Sequence, residues 1–177
     1  MQRRVVTGVD ESGKSIVVKD GQPPVSRNYV HTPGFADALI WRTDASVAPA
    51  TESVDRPLAC FVPSAGETVA LTITFPPGTV YTDPAFDPEA ASSEDQAMNP
   101  GLYELFEADA PGMHTSPTVD YAVVTHGELV LELDDGVTVP LTVGDIVVQN
   151  ATRHAWRNPT DAPATIFIVL MGSAVVN

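Results

Sequence analysis

HTSPTVDYAVVTHG, residues 114–127, and GDIVVQNATRHAWRN, residues 144–158, decide the reading of this chain. Both are rich in β-branched residues and both contain a glycine turn signal, the pattern of short strands. In a strand, alternate side chains share a face. His114, Ser116, Thr118, Asp120, Ala122 and Val124 therefore line one side, with Tyr121 and Val123 opposite; His154, Trp156 and Asn158 line up in the same way. A plain structural barrel would fill such inward positions with valine, leucine or isoleucine. Buried polar and titratable groups are costly unless water, a ligand or a metal satisfies them.

Working outwards, more short strand-like runs appear. RRVVTGV and SIVVKDG bracket the polar DESGK connection and read as a hairpin. ALIWRTD, ACFVP and ETVALTITF read as a third, fourth and fifth strand, the last with clear period-two alternation. VDYAVV, GELVLELDDG, VTVPLTVG, DIVVQN, HAWRN and ATIFIVLMG follow. Runs of this length cut by Gly, Asp, Asn and 16 prolines predict an all-β antiparallel sandwich or barrel, because proline suits strand ends and loops. Residues 83–112 are the exception: acidic, alanine-rich and poor in β-branched residues. EAASSEDQAM and GLYELFEADA are each expected to form a short helix, split by Asn99-Pro100. An insertion just ahead of His114 is either a lid over a barrel mouth or a helix packed outside it.

Composition narrows the function. A chain of 177 residues fits a single domain, 1–177. Its 23 acidic and 9 basic residues give a net charge of −14, which argues against nucleic acid and anionic membrane as partners. An anionic substrate would need local positive groups to offset that field. Cys60 is the one cysteine, in the apolar LACFVP, and reads as a buried, inert thiol without an internal disulfide. No apolar run is long enough for a signal or a membrane span, so the expectation is a cytoplasmic protein. GVDESGK lacks the glycine spacing of a phosphate loop, and no nucleotide cofactor is expected; G-x-S-x-G does not occur.

With these residues in view, the chain resembles the cupin superfamily, specifically its small single-domain members. The first cupin motif has the form G-x5-H-x-H-x3,4-E-x6-G. His114 stands at its first histidine, Ser116 at the second, Asp120 at the glutamate, and Gly127 closes it after six residues. The second motif, G-x5-P-x-G-x2-H-x3-N, matches at Gly144, His154 and Asn158, one residue short and without its proline and internal glycine. The resemblance covers 68–172, and implies a jelly-roll double-stranded β-helix barrel there. Residues 1–67 look like the N-terminal β arm and outer strands of a subgroup of small bacterial cupins, and 83–112 is a short helical insertion.

The resemblance implies a metal held by His114, Asp120 and His154, with iron, manganese, zinc or nickel all conceivable. Serine at 116 limits the protein ligands to two imidazoles and one carboxylate, the type of set found in non-haem iron enzymes. Without metal, the same three residues form a hydrogen-bonded cluster able to move protons. It further implies a small-molecule substrate, bound with the help of Ser116, Thr118, Trp156 and Asn158, and a homodimer. Lyase or isomerase chemistry (dehydration, decarboxylation, isomerisation) is the expected activity; a metal-dependent dioxygenase or a non-catalytic small-molecule-binding barrel are the alternatives. Trp156 is read as pocket wall or core, Trp41 as core, and His31 and His126 as exposed. Arg153 and Arg157 are expected to face solvent or a partner.

Overall fold

The alternating runs do become strands, and their pairing builds two facing sheets. The computed structural model describes residues 2–46 and 60–174. β1 (Arg4–Val9) and β2 (Ser15–Gly21) form the expected hairpin. Its turn is tied by Asp10, whose carboxylate accepts from the Ser12 and Lys14 backbone N–H groups. β3 (Val25–Asn28), β4 (Ala36–Thr43) and β5 (Thr68–Phe75) follow, then α1 (Pro88–Met98). The remaining strands are β6 (Thr118–His126), β7 (Leu129–Glu132), β8 (Thr138–Leu141), β9 (Ile146–Asn150), β10 (Ala155–Arg157) and β11 (Ala164–Gly172). One six-stranded sheet runs β3-β4-β5-β11-β6-β9 and one three-stranded sheet runs β10-β7-β8, with antiparallel pairs throughout. Leu129, Leu131 and Leu141 of the small sheet meet Val69, Val124 and Ile166 of the large one in the core. This is the jelly-roll architecture that the strand pattern and the resemblance predict.

Gly127 is required at the β6–β7 corner. Its φ is +68°, and a Cβ there would lie 2.7 Å from the Pro163 carbonyl oxygen and 2.9 Å from the Ala164 Cα. Any side chain would push β11 off its neighbour.

Two expectations fail, and one strand was not expected. ACFVP forms no strand at Cys60–Pro63, although Phe61 is buried; proline at 63 leaves no N–H to extend a ladder. GLYELFEADA makes one 3-10 turn, Tyr103–Leu105, in place of a helix, since it follows the Asn99-Pro100-Gly101 break directly. β3 is missing from the sequence reading because VSRN is polar and short; it survives as an edge strand by pairing with β4. EAASSEDQAM does form α1, capped by Asp87, which accepts from the Glu89 and Ala90 backbone N–H groups. The part of the arm at 47–59 lies outside the described residues. No helix among the described residues is long and apolar enough to cross a membrane.

Candidate functional site

The inner face of β6 carries the polar row that the alternation predicts. His114, Ser116, Thr118 and Asp120 are buried, as are Ala122 and Val124, whereas Tyr121 is exposed. His154 and Asn158 are buried too, and Trp156 is half-buried. The two histidines meet across an isolated antiparallel bridge, each backbone N–H donating to the other's carbonyl at 2.9 Å. Their rings lie 4.3 Å apart between centroids, tilted by 47°. Phe106 sits edge-on to His114 at 4.8 Å, and Trp156 edge-on to His154 at 5.9 Å. The insertion therefore reaches the site through Phe106.

Each imidazole is oriented by a backbone carbonyl two residues before it. His114 Nδ1 lies 3.2 Å from the Gly112 oxygen, and His154 Nδ1 lies 2.9 Å from the Thr152 oxygen. A carbonyl only accepts, so both Nδ1 atoms carry the proton, and both Nε2 atoms keep a free lone pair. Burial lowers the pKa of both rings, that of His154 to about 4 with further repulsion from His114. Glu107 partly counters the shift at His114. Both are neutral bases at pH 7.

Asp120 behaves in the opposite way. Burial raises its carboxyl to about 6, partly offset by the Thr118 hydroxyl. Its Oδ1 has no hydrogen-bond partner and is fully enclosed. Opposite it on β9 stands Gln149, a buried amide that donates to the Thr152 carbonyl at 3.0 Å. That is the same carbonyl that orients His154. Gln149 and Phe106 are the site residues that sequence reasoning missed. Alternation through DIVVQN puts Gln149 on the inner face and could have exposed it; nothing local marks Phe106.

Two members of the expected site set, Asp120 and Asn158, are placed as follows. Among the described residues, no three His, Cys, Asp or Glu side chains are grouped to hold a metal ion. The two imidazoles suit a divalent transition metal, with Nδ1 anchored and Nε2 open. Asp120, opposite Gln149 on β9, is not grouped with them in a three-residue cluster, and aspartate is a methylene shorter than the motif's glutamate. Asn158 is a brace for its own turn. Its amide donates to the Pro76 and Ala162 carbonyls, and its Oδ1 accepts from the Thr160 N–H and hydroxyl, which leaves little for a substrate. Ser116 and Thr118 hydrogen-bond each other at 2.8 Å beside Asp120.

Arg153 and Arg157 are committed to salt bridges. Arg153 grips Glu107 through two nitrogens, at 2.7 and 2.6 Å, and reaches Asp134 at 2.8 Å. Arg157 binds Glu132 and the Pro111 carbonyl, both at 2.6 Å. The pair clamps the 107–113 segment that delivers His114. His31 and His126 are exposed, and Trp41 and Cys60 are half-buried.

Comparison with known proteins agrees with the fold. Residues 102–170 match the family model described as "Cupin domain". Oryzines biosynthesis cluster protein J of Aspergillus oryzae is 40% identical over 68 residues, covering 37% of this chain and 38% of that protein. The cupin-domain-containing oxidoreductase virC of Hypocrea virens is 42% identical over 48 residues, 27% of this chain and 25% of that one. The matches thus span well under half of these relatives' length. Among solved structures, a Cupin 2 conserved barrel domain protein from Salinispora arenicola aligns with a TM-score of 0.39 at 18% identity, over 60% of this chain and 65% of that chain. Residues 102–170, the stretch that carries both histidines, are thus similar to a cupin domain.

Proposed function

We propose that the barrel binds a small organic molecule and moves protons on it, as a lyase or isomerase. One observation carries this reading: two buried neutral imidazoles with open Nε2 atoms share an inner face with a buried carboxyl whose Oδ1 is unsatisfied. His114 is the stronger base of the pair, because Glu107 supports its protonated form while His154 is held down at about 4. Its Nε2 takes a proton from the carbon next to a carbonyl. Asp120, protonated up to about pH 6, donates its hydrogen to the carbonyl oxygen, and an enol results. Where the enol is conjugated, the His114 imidazolium returns its proton to the γ-carbon as the enol hydrogen goes back to Asp120, which gives an isomer. Where a β-hydroxyl is present, the imidazolium protonates it, water leaves and the enol hydrogen goes back to Asp120, which gives a dehydration product. A divalent metal, where one binds the imidazole pair, would supply Lewis-acid polarisation of that oxygen.

Solvent exchange tests this directly. In D₂O at pH 6, the protein should exchange the α-protons of a panel of small ketones, followed by proton NMR. His114→Gln and Asp120→Asn should each slow exchange by at least tenfold. No exchange with any ketone, or full exchange in both variants, would remove proton transfer as the function. A second reading is redox chemistry, favoured by relatives described as cupin-domain-containing oxidoreductases. Metal analysis of protein purified without a polyhistidine tag separates the two: stoichiometric iron that is lost in His154→Ala would favour it. We also propose a homodimer, for which the outer face of the large sheet gives the support argued below.

A further inference from the structure

We infer that the site selects uncharged substrates, a flat carbonyl compound in place of a carboxylate or phosphate. This rests on the proton-transfer reading and adds a substrate class to it. Juxtaposition carries it: the arginines beside the two imidazoles are each engaged by carboxylates, and Phe106 and Trp156 stand edge-on to the two rings.

An anion entering a protein of net charge −14 needs a local cation to offset the field. Of the nine basic residues, Arg3, Arg4, Lys14 and Lys19 belong to the β1–β2 hairpin and its turn, and Arg56 lies outside the described residues. Arg27 is bound to Asp37 and Asn99 and donates to the Met98 carbonyl. Arg42 is bound to Glu67. That leaves Arg153 and Arg157 beside the site. Arg153 is held by two carboxylates, Glu107 and Asp134, and Arg157 by Glu132. Asp120 adds a buried carboxyl group whose Oδ1 is without a hydrogen-bond partner. Phe106 and Trp156, edge-on to the two imidazoles, supply apolar and π surface suited to a flat ring. Among the described residues, the side chains around the site therefore favour a planar neutral carbonyl compound over an anion; a metal on the imidazole pair would be a cation of its own.

Matched probes test it. Acetophenone and benzoate share a ring and a carbonyl and differ in charge. Each is titrated into the full chain at pH 7, with the ring-proton NMR signals of His114 and His154 as the site-resolved readout. Acetophenone should bind at least tenfold more tightly than benzoate. In the Glu107→Gln/Asp134→Asn double variant, which releases Arg153, that preference should shrink at least threefold through gained benzoate affinity. Benzoate binding as tightly as acetophenone to the wild type, or a preference unaltered in the double variant, overturns the charge selection. If neither probe moves the histidine signals, the small-molecule pocket itself is refuted, and the proton-transfer reading falls with it. Neutral selectivity combined with no ketone exchange in D₂O would sink only the proton-transfer reading.

Discussion

Asp120 and His154 pull the stability of the fold in opposite directions as pH changes. Asp120 titrates at about 6 when folded, against 3.8 when free. Its unfolded form therefore ionises first, and stability falls as pH rises from about 4 to 6, then levels off. His154 titrates at about 4 when folded, against 6.5 when free. The unfolded ring is protonated first, so stability falls as pH drops from 6.5 to 4. Each shift is worth at most ~3 kcal/mol, and the two slopes largely cancel. Asp120→Asn removes one of them. In urea titrations the variant should exceed the wild type by about 1–3 kcal/mol more at pH 7 than at pH 4. The same difference at both pH values would mean that Asp120 is not a buried acid with a raised pKa. Most of this was legible in the sequence, because alternation alone put His114 and Asp120 on the inner face. What was not legible is the split between them: the motif suggests one ligand set, whereas a residue's position along the strand and the length of its side chain decide whether it can join. Gln149 escaped for a related reason, since its role lies in the Thr152 carbonyl that it shares with His154, a contact that no local pattern encodes.

At the level of elements, the insertion is anchored to the arm. Glu94 of α1 accepts from the Val30 and His31 backbone N–H groups at 2.8 and 2.7 Å. Close by, Tyr29 donates to Asp37 and accepts from Asn99, which links β4 to the end of the helix. At its other end the insertion is gripped by Arg153 and Arg157 before it delivers His114. Glu94→Ala should therefore cost about 1 kcal/mol. It should speed amide exchange at Val30 and His31 at least tenfold and leave the His114 N–H, which is bonded to His154, unchanged. Accelerated exchange at His114 as well would show that the insertion and the site open together, as a lid does. The helix itself could be read from composition and from Asp87 ahead of Pro88. Its docking could not, because the partners are backbone N–H groups of a loop some sixty positions earlier. The same distance problem hid β3, whose pairing with β4 overrides its weak strand propensity.

For the whole molecule, the question is what covers the outside of the large sheet. Across β9, β6 and β11 the register aligns Ile146, Val123 and Phe167 in one row, Val148, Tyr121 and Val169 in the next, and Asn150, Val119 and Met171 in a third. Not one of these carries a charge, in a protein of net charge −14; Ile146 is 72%, Val148 54% and Tyr121 53% exposed. Two copies repel each other over most of their surface, so a shared interface belongs where charge is absent. A two-fold axis lets one such patch meet itself, and among the described residues β9 is the edge strand of the sheet. Three strands at ~4.8 Å spacing over five residues cover only roughly 250 Å², against about 800 Å² per partner in a stable complex. The proposed dimer therefore needs further apolar surface, which the exposed Val5, Val9, Ile16 and Val17 of the hairpin would supply, a two-stranded unit too small to be stable by itself. Sedimentation should accordingly find a dimer at micromolar concentration. Tyr121→Lys/Val148→Lys should convert it to monomer with an unchanged far-UV spectrum, and Val9→Lys/Val17→Lys should weaken it at least tenfold. A monomeric wild type, or a dimer indifferent to the sheet substitutions, would leave this face as plain exposed surface.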